Sequence, residues 1–170
     1  MTNVLLLCII IGTVLALSPS DYQLSGLETY GSFDDQYSGL MPIKMDDNDR
    51  GSIFFYLVKA RNDLASTAPL VIWLNGGPGC SSRVGLINEN GPYKLSAGDQ
   101  LKGEKKYVLE KNDNSWNNVA NVLYVEQPLL TGFSLAAKGS KKVKDEYELS
   151  KDMYGFIQNF VTVFEEYQGR

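Results

Sequence analysis

No histidine occurs anywhere in the 170 residues. The side chain that most often moves protons near neutral pH is therefore missing from every position of this stretch. Only two cysteines are present, too few for a small scaffold stapled by several disulfides. Positive charge is also scarce: 16 Lys and Arg stand against 20 Asp and Glu, for a net charge of −4. This excludes the basic footprint of a nucleic-acid binder. The one lysine cluster, Lys138 to Lys144, runs straight into acidic residues and reads as a solvated loop. No apolar run reaches the roughly 20 residues that span a bilayer. No N-x-S/T acceptor for an N-linked glycan occurs. The single glycine-rich segment lacks the lysine and spacing of a phosphate loop, and nothing calls for a metal or a cofactor.

Hydrophobic residues make up 44% and charged residues 21%, enough for one globular domain with a sizeable core. The chain opens with an uncharged apolar run, Val4 to Leu17, ended by Pro19. Its length fits the apolar region of a secretory signal peptide. Cleavage is expected after Ala16, with the site after Ser18 in competition and a buried N-terminal helix as the alternative. Residues 1–16 then form a leader and 17–170 the mature domain, directed into the secretory pathway with no stable membrane anchor. Cys8 leaves with the leader. Cys80 remains as a lone cysteine in an oxidising compartment, which implies an absent partner or a free thiol.

The turn-rich "DDNDRG" at Asp46 to Gly51 separates two strand-like runs. Pro69–Leu74 and Asn121–Val125 are continuous apolar runs, expected to be strands buried on both faces. Arg83 to Asn88 suggests a short helix. Met153, Phe156, Ile157, Phe160, Val161 and Phe164 recur at helical spacing, which predicts an amphipathic helix packed on the core. Asp145 and Glu146 suit its start and Gly169 its stop. Strands alternating with a helix imply an α/β architecture with a mainly parallel sheet. Two central strands are too few for such a sheet, so the fold is expected to be incomplete.

In "PLVIWLNGGPGCSS", Pro69 to Ser82, an apolar strand stops in glycines. Glycines admit positive φ and let backbone N–H groups approach a ligand. At the carboxyl end of a parallel strand such N–H groups can bind an anion or stabilise a developing oxyanion, though a plain tight turn uses the same residues. This block resembles the signature of the serine carboxypeptidases, the secreted α/β-hydrolase peptidases of family S10. The resemblance extends through "YSGL" (Tyr37 to Leu40), "FFYLVKARND" (Phe54 to Asp63), "NENGPYKL" (Asn88 to Leu95), "NDNSWNNVANVLYVEQPLLTGFS" (Asn112 to Ser134) and "DMYGFIQNFVTVFEEY" (Asp152 to Tyr167). Six blocks occur in order, over nearly all of the mature chain.

The resemblance implies the N-terminal part of an α/β-hydrolase fold and a serine-type carboxypeptidase acting on peptides or proteins with a free C-terminus. It implies that Gly77 gives an oxyanion-hole N–H, and that Asn75 and Glu89 bind the substrate's terminal carboxylate. Trp73 and Gly76 belong to the same set, with Trp73 supporting the others. A carboxyl group facing a carboxylate needs a shared proton, which implies action favoured in acid. Cys80 would pair with a cysteine outside these residues. The destination would be secretion or a lysosome or vacuole.

Three features depart from the family pattern. Glu126 stands where Asp is usual, Leu130 lies near a usual glycine, and Leu129-Leu130 makes its loop bulky. Ser81 and Ser82 are signature residues but not the nucleophile. "GFSLA", Gly132 to Ala136, misses the G-x-S-x-G elbow, and Ser134 has no base. A serine hydrolase of this kind needs nucleophile, base and acid, and the resemblance implies that all three lie outside these residues. Two readings follow: part of a serine carboxypeptidase, or a short non-catalytic secreted protein, either a peptide-carboxylate binder or a structural remnant. On the first reading, Asn121–Val125 is expected to have an unpaired edge, and the helical stripe to lose part of its cover.

Overall fold

The computed structural model describes residues 17–25, 34–45, 48–61, 64–97 and 107–170. The expected leader, residues 1–16, and part of the Asp46–Gly51 turn lie outside the described residues. Strands β1 (Gln36–Met45) and β2 (Asn48–Val58) form an antiparallel hairpin with a register shift between Ile43 and Lys44. Next come β3 (Leu70–Trp73), a π-helical turn (Gly85–Glu89), and a separate antiparallel pair, β4 (Tyr93–Ala97) and β5 (Tyr107–Lys111). β6 (Asn121–Val125), β7 (Leu135–Ala136) and helix α1 (Glu146–Val163) complete the order.

The main sheet runs β1-β2-β6-β3, with β7 added on β2. It is mixed. Among the described residues only β3 and β6 pair in parallel; β1–β2, β2–β6 and β2–β7 are antiparallel. The expected mainly parallel arrangement is thus met at one pair. A tight connection such as that between β1 and β2 permits only antiparallel pairing.

Alternation along β2 sends Ile53, Phe55 and Leu57 to one face, where they are fully buried. There they join Met41, Ile43, Leu123, Val125 and the α1 side chains Phe156, Phe160 and Phe164. The Phe55 ring lies 5.6 Å from Phe160 and 5.9 Å from Phe164, both edge-on, a favoured geometry for aromatic pairs. The predicted stripe is therefore core. Asp145 caps the helix, its Oδ1 accepting from Glu148 N at 2.8 Å. The helix ends at Val163, however, and a 3-10 turn (Glu165–Tyr167) precedes Gly169. Arg50 on β2 pins α1 through both oxygens of buried Asp152, at 2.9 and 3.0 Å. The opposite face of the sheet packs Val122, Tyr124 and Val58 against Leu86 and Trp73.

Two expectations about edges are corrected. β6 is not an edge strand: it pairs with β2 and β3 and all five of its residues are buried. The stripe also keeps its cover at Phe156, Phe160 and Phe164, which are 0–1% exposed, while Met153, Ile157 and Val161 are partly buried. The edge of the described sheet beside β6 belongs to β3, where Ile72 is 37% exposed, so this apolar run is not buried on both faces. The Arg83–Asn88 helix is in fact a helical start followed by the π-helical turn Gly85–Glu89.

Candidate functional site

The glycine segment follows β3 directly, at its carboxyl end beside β6. Asn75 is the junction. Its Oδ1 accepts from the Trp73 indole N–H at 2.9 Å and from Gly85 N at 3.2 Å. Its Nδ2 donates to Glu89 Oε1 at 3.3 Å, and its backbone N–H donates to Ser82 Oγ at 3.1 Å. One amide side chain therefore ties the strand end to both ends of the π-helical turn. Trp73 is fixed in turn by an edge-on contact with Trp116, 5.1 Å between centroids. Trp73, Asn75 and Glu89, which the resemblance groups, are thus brought together.

Beyond Asn75 the chain leaves the sheet. Gly76 to Cys80 are exposed, with one internal hydrogen bond, Cys80 N to Gly76 O at 3.3 Å. Gly77 has φ +131°, and a Cβ there would meet Gly79 N at 3.2 Å and Cys80 N at 3.3 Å. Only glycine takes that conformation without strain. The Gly77 N–H donates to no group among the described residues. Cys80 is exposed and unbridged among the described residues.

The two serines after Cys80 anchor the segment to the end of β6. Ser82 Oγ donates to Val125 O at 2.6 Å. Ser81 Oγ donates to Glu126 Oε1. Glu126 is 1% exposed. It also accepts from Arg83 Nε at 2.8 Å and, on Oε2, from Phe133 N at 2.6 Å. Ser134 Oγ bonds backbone on both sides, donating to Glu126 O at 2.6 Å and accepting from Phe54 N at 2.8 Å; it is a structural tie. Leu129 is buried in the core, whereas Leu130 is 59% exposed at φ +73°.

Two polar features escaped the sequence reading. Glu126 was visible only as a longer acid than usual, and its partners Arg83 and Phe133 carried no signal. Tyr124 OH donates to Asn90 Oδ1 at 3.0 Å, next to Glu89. Burial first, and the Glu89 charge second, push its phenol well above the usual range.

The serine carboxypeptidase family model matches residues 28–170. Serine carboxypeptidase S10 family member 1 of Dictyostelium discoideum is 42% identical over 113 residues, 66% of this chain and 25% of that protein. Serine carboxypeptidase-like 46 of Arabidopsis thaliana is 37% identical over 167 residues, 96% of this chain and 33% of the relative. Among solved structures, the prohormone-processing carboxypeptidase Kex1(Δ)p of Saccharomyces cerevisiae superposes with a TM-score of 0.72 at 27% identity, over 90% of this chain and 34% of that one. That likeness gives the sheet and helix described above an α/β-hydrolase setting. The chain thus spans between a quarter and about a third of the length of these relatives. With the family model covering all but the first 27 residues, the chain belongs to the serine carboxypeptidase family.

Proposed function

We propose that these residues supply the substrate-holding part of a serine-type carboxypeptidase, an enzyme that removes C-terminal residues from peptides. Asn75 and Glu89 receive the substrate's terminal carboxylate, with Trp73 and Gly76 shaping that site. The Gly77 N–H stabilises the oxyanion that forms when the scissile carbonyl is attacked. Nucleophile, base and acid come from outside these residues, as the resemblance implies; no histidine is present here to serve as the base. The observation that carries this reading is the Asn75 junction: an amide held on one side by Trp73 and Gly85 and facing Glu89 on the other. It stands at the mouth of a glycine loop whose N–H at Gly77 has no partner among the described residues. A carboxylate binds beside Glu89 only if a proton is shared, so the enzyme works best in acid. The apolar run at Val4–Leu17 directs the chain into the secretory pathway, to be secreted or held in a lysosome or vacuole. Cys80, exposed beside the site, pairs with a cysteine outside these residues.

The experiment is a segment exchange. Residues 69–92 of this chain replace the matching segment of an active family member, and turnover of a blocked dipeptide is measured. A folded hybrid that keeps turnover, and loses kcat with Gly77→Ala, which retains the N–H but cannot hold it at φ +131° without strain, supports the reading. A folded hybrid without turnover removes it. The absence of histidine favours one other reading, a peptide-carboxylate binder without catalysis. That reading predicts a hybrid that binds free C-termini yet hydrolyses nothing.

A further inference from the structure

The loop Gly76–Cys80 does not hold itself. It is exposed, it contains three glycines, and it closes with one hydrogen bond of 3.3 Å. Its geometry must be imposed from its ends. One end, Asn75, is tied through Ser82 Oγ to the Val125 carbonyl. The other, Ser81, ends on the Glu126 carboxylate.

Glu126 is an unusual anchor. A carboxylate 1% exposed persists only when paired and hydrogen-bonded. Here three donors from two loops converge on it: Ser81 Oγ, Arg83 Nε at 2.8 Å and Phe133 N at 2.6 Å. Room for it exists because residue 132 has no side chain; a Cβ on Gly132 would lie 2.0 Å from Oε2. Arg83 is held from a second direction, its guanidinium 3.7 Å from the Phe133 ring centre. Counter-ion, hydroxyl and backbone N–H thus fix the carboxylate, and the carboxylate fixes Ser81.

We propose that Glu126 is a positioning residue: acting through Ser81, with Arg83 as counter-ion, it sets the conformation of Gly76–Cys80 and so the placement of the Gly77 N–H. The oxyanion role of that N–H rests on the function proposed above; the control of the loop by Glu126 does not. The competing account is a buried ion pair that stabilises the domain as a whole and leaves the loop indifferent.

Backbone ¹⁵N relaxation on the full chain separates the two. In the parent chain the Gly77 and Gly79 amides should show order parameters near the rigid value, about 0.85. Glu126→Gln and Ser81→Ala should each lower them to below about 0.6, while Leu123 in β6 and Phe160 in α1 keep their values. Ser81→Thr, which retains the hydroxyl, should keep the loop ordered. Ser81→Ala leaves the ion pair intact, so it reads the loop even if Glu126→Gln fails to fold. The proposal is overturned if the loop is already mobile in the parent, if both variants leave it rigid, or if loop and core loosen together. An ordered, Glu126-dependent loop in a hybrid enzyme without turnover would remove the oxyanion role and leave the positioning role standing.

Discussion

Replacing Asn75 with alanine or with aspartate separates two jobs done by one side chain. Alanine removes the acceptor shared by Trp73 Nε1 and Gly85 N. Gly85 is buried and Trp73 partly so, and each orphaned donor costs about 1–3 kcal/mol. Water can reach the indole, which puts the sum at about 2–4 kcal/mol. At roughly 2–4 °C per kcal/mol for a chain of this size, Tm should fall by about 4–16 °C. Aspartate keeps the acceptor and changes only the atom facing Glu89 Oε1, now 3.3 Å from an amide nitrogen. Two carboxylates at that distance repel by about 1 kcal/mol at the dielectric constant of water, the appropriate limit because Glu89 is exposed. Protonating either one removes the repulsion. The folded pair therefore holds its protons more tightly than the unfolded chain does, and stability is lost as pH rises. Urea unfolding from pH 3 to pH 7 should show Asn75→Asp near the parent in acid and about 1 kcal/mol weaker at neutrality, with Asn75→Ala weaker throughout. If aspartate proves as damaging as alanine in acid, or its penalty grows towards low pH, the assignment of the amide oxygen to Trp73 and Gly85 is wrong.

Further perturbations test the frame around the site. Asp152→Ala leaves Arg50, whose side chain is 13% exposed, without its bidentate partner between β2 and α1; chemical unfolding should show a loss of about 3–5 kcal/mol. Leu130→Gly relieves a left-handed residue at φ +73° whose side chain is 59% exposed. Left-handed strain of about 1–2 kcal/mol exceeds the added chain entropy of about 0.4–1 kcal/mol, so stability should rise by up to about 1 kcal/mol, and a loss would contradict the strain. Burial, with a minor contribution from Tyr93, pushes the Tyr56 phenol up to about 12. Its folded value lies above its unfolded one, so stability should fall as pH rises from about 10. Phenolate absorbance should show several tyrosines ionising late, Tyr124 and Tyr167 among them, and Tyr56→Phe should remove one phenol from that late phase.

What could be read from the sequence was what repeats locally. The 3.6-residue period of Met153, Phe156, Phe160 and Phe164 marked α1, and the apolar runs Pro69–Leu74 and Asn121–Val125 marked the strands β3 and β6, which pair in parallel. An apolar run does not say which of its faces is covered, so the exposure of Ile72 could not be read from it. β4 and β5 were missed because each is only five residues long: Tyr93, Leu95 and Ala97 alternate with polar residues too briefly to mark a strand, and Leu95 and Leu109 are 49% and 41% exposed. The Asn75–Glu89 pairing was legible only through the family resemblance, which carries the two residues in neighbouring blocks, 14 residues apart. Glu126 was not, since Ser81 and Arg83 reach it across 45 and 43 residues. The Arg50–Asp152 pair spans 102. Contacts of that kind follow from strand order, which charge spacing along the chain does not encode.

The most direct test of the central claim is an NMR titration of the chain at acidic pH with a short peptide in two forms, one with a free C-terminal carboxylate and one with a C-terminal amide. The account predicts that the free acid shifts the Asn75 side-chain amide and the Gly76 and Gly77 backbone amides, and that the C-terminal amide form leaves them in place. Raising the pH towards neutrality should weaken the response, as two charged carboxylates come to face each other. Equal shifts with both peptides, or shifts confined to residues away from Asn75 and Glu89, would contradict it.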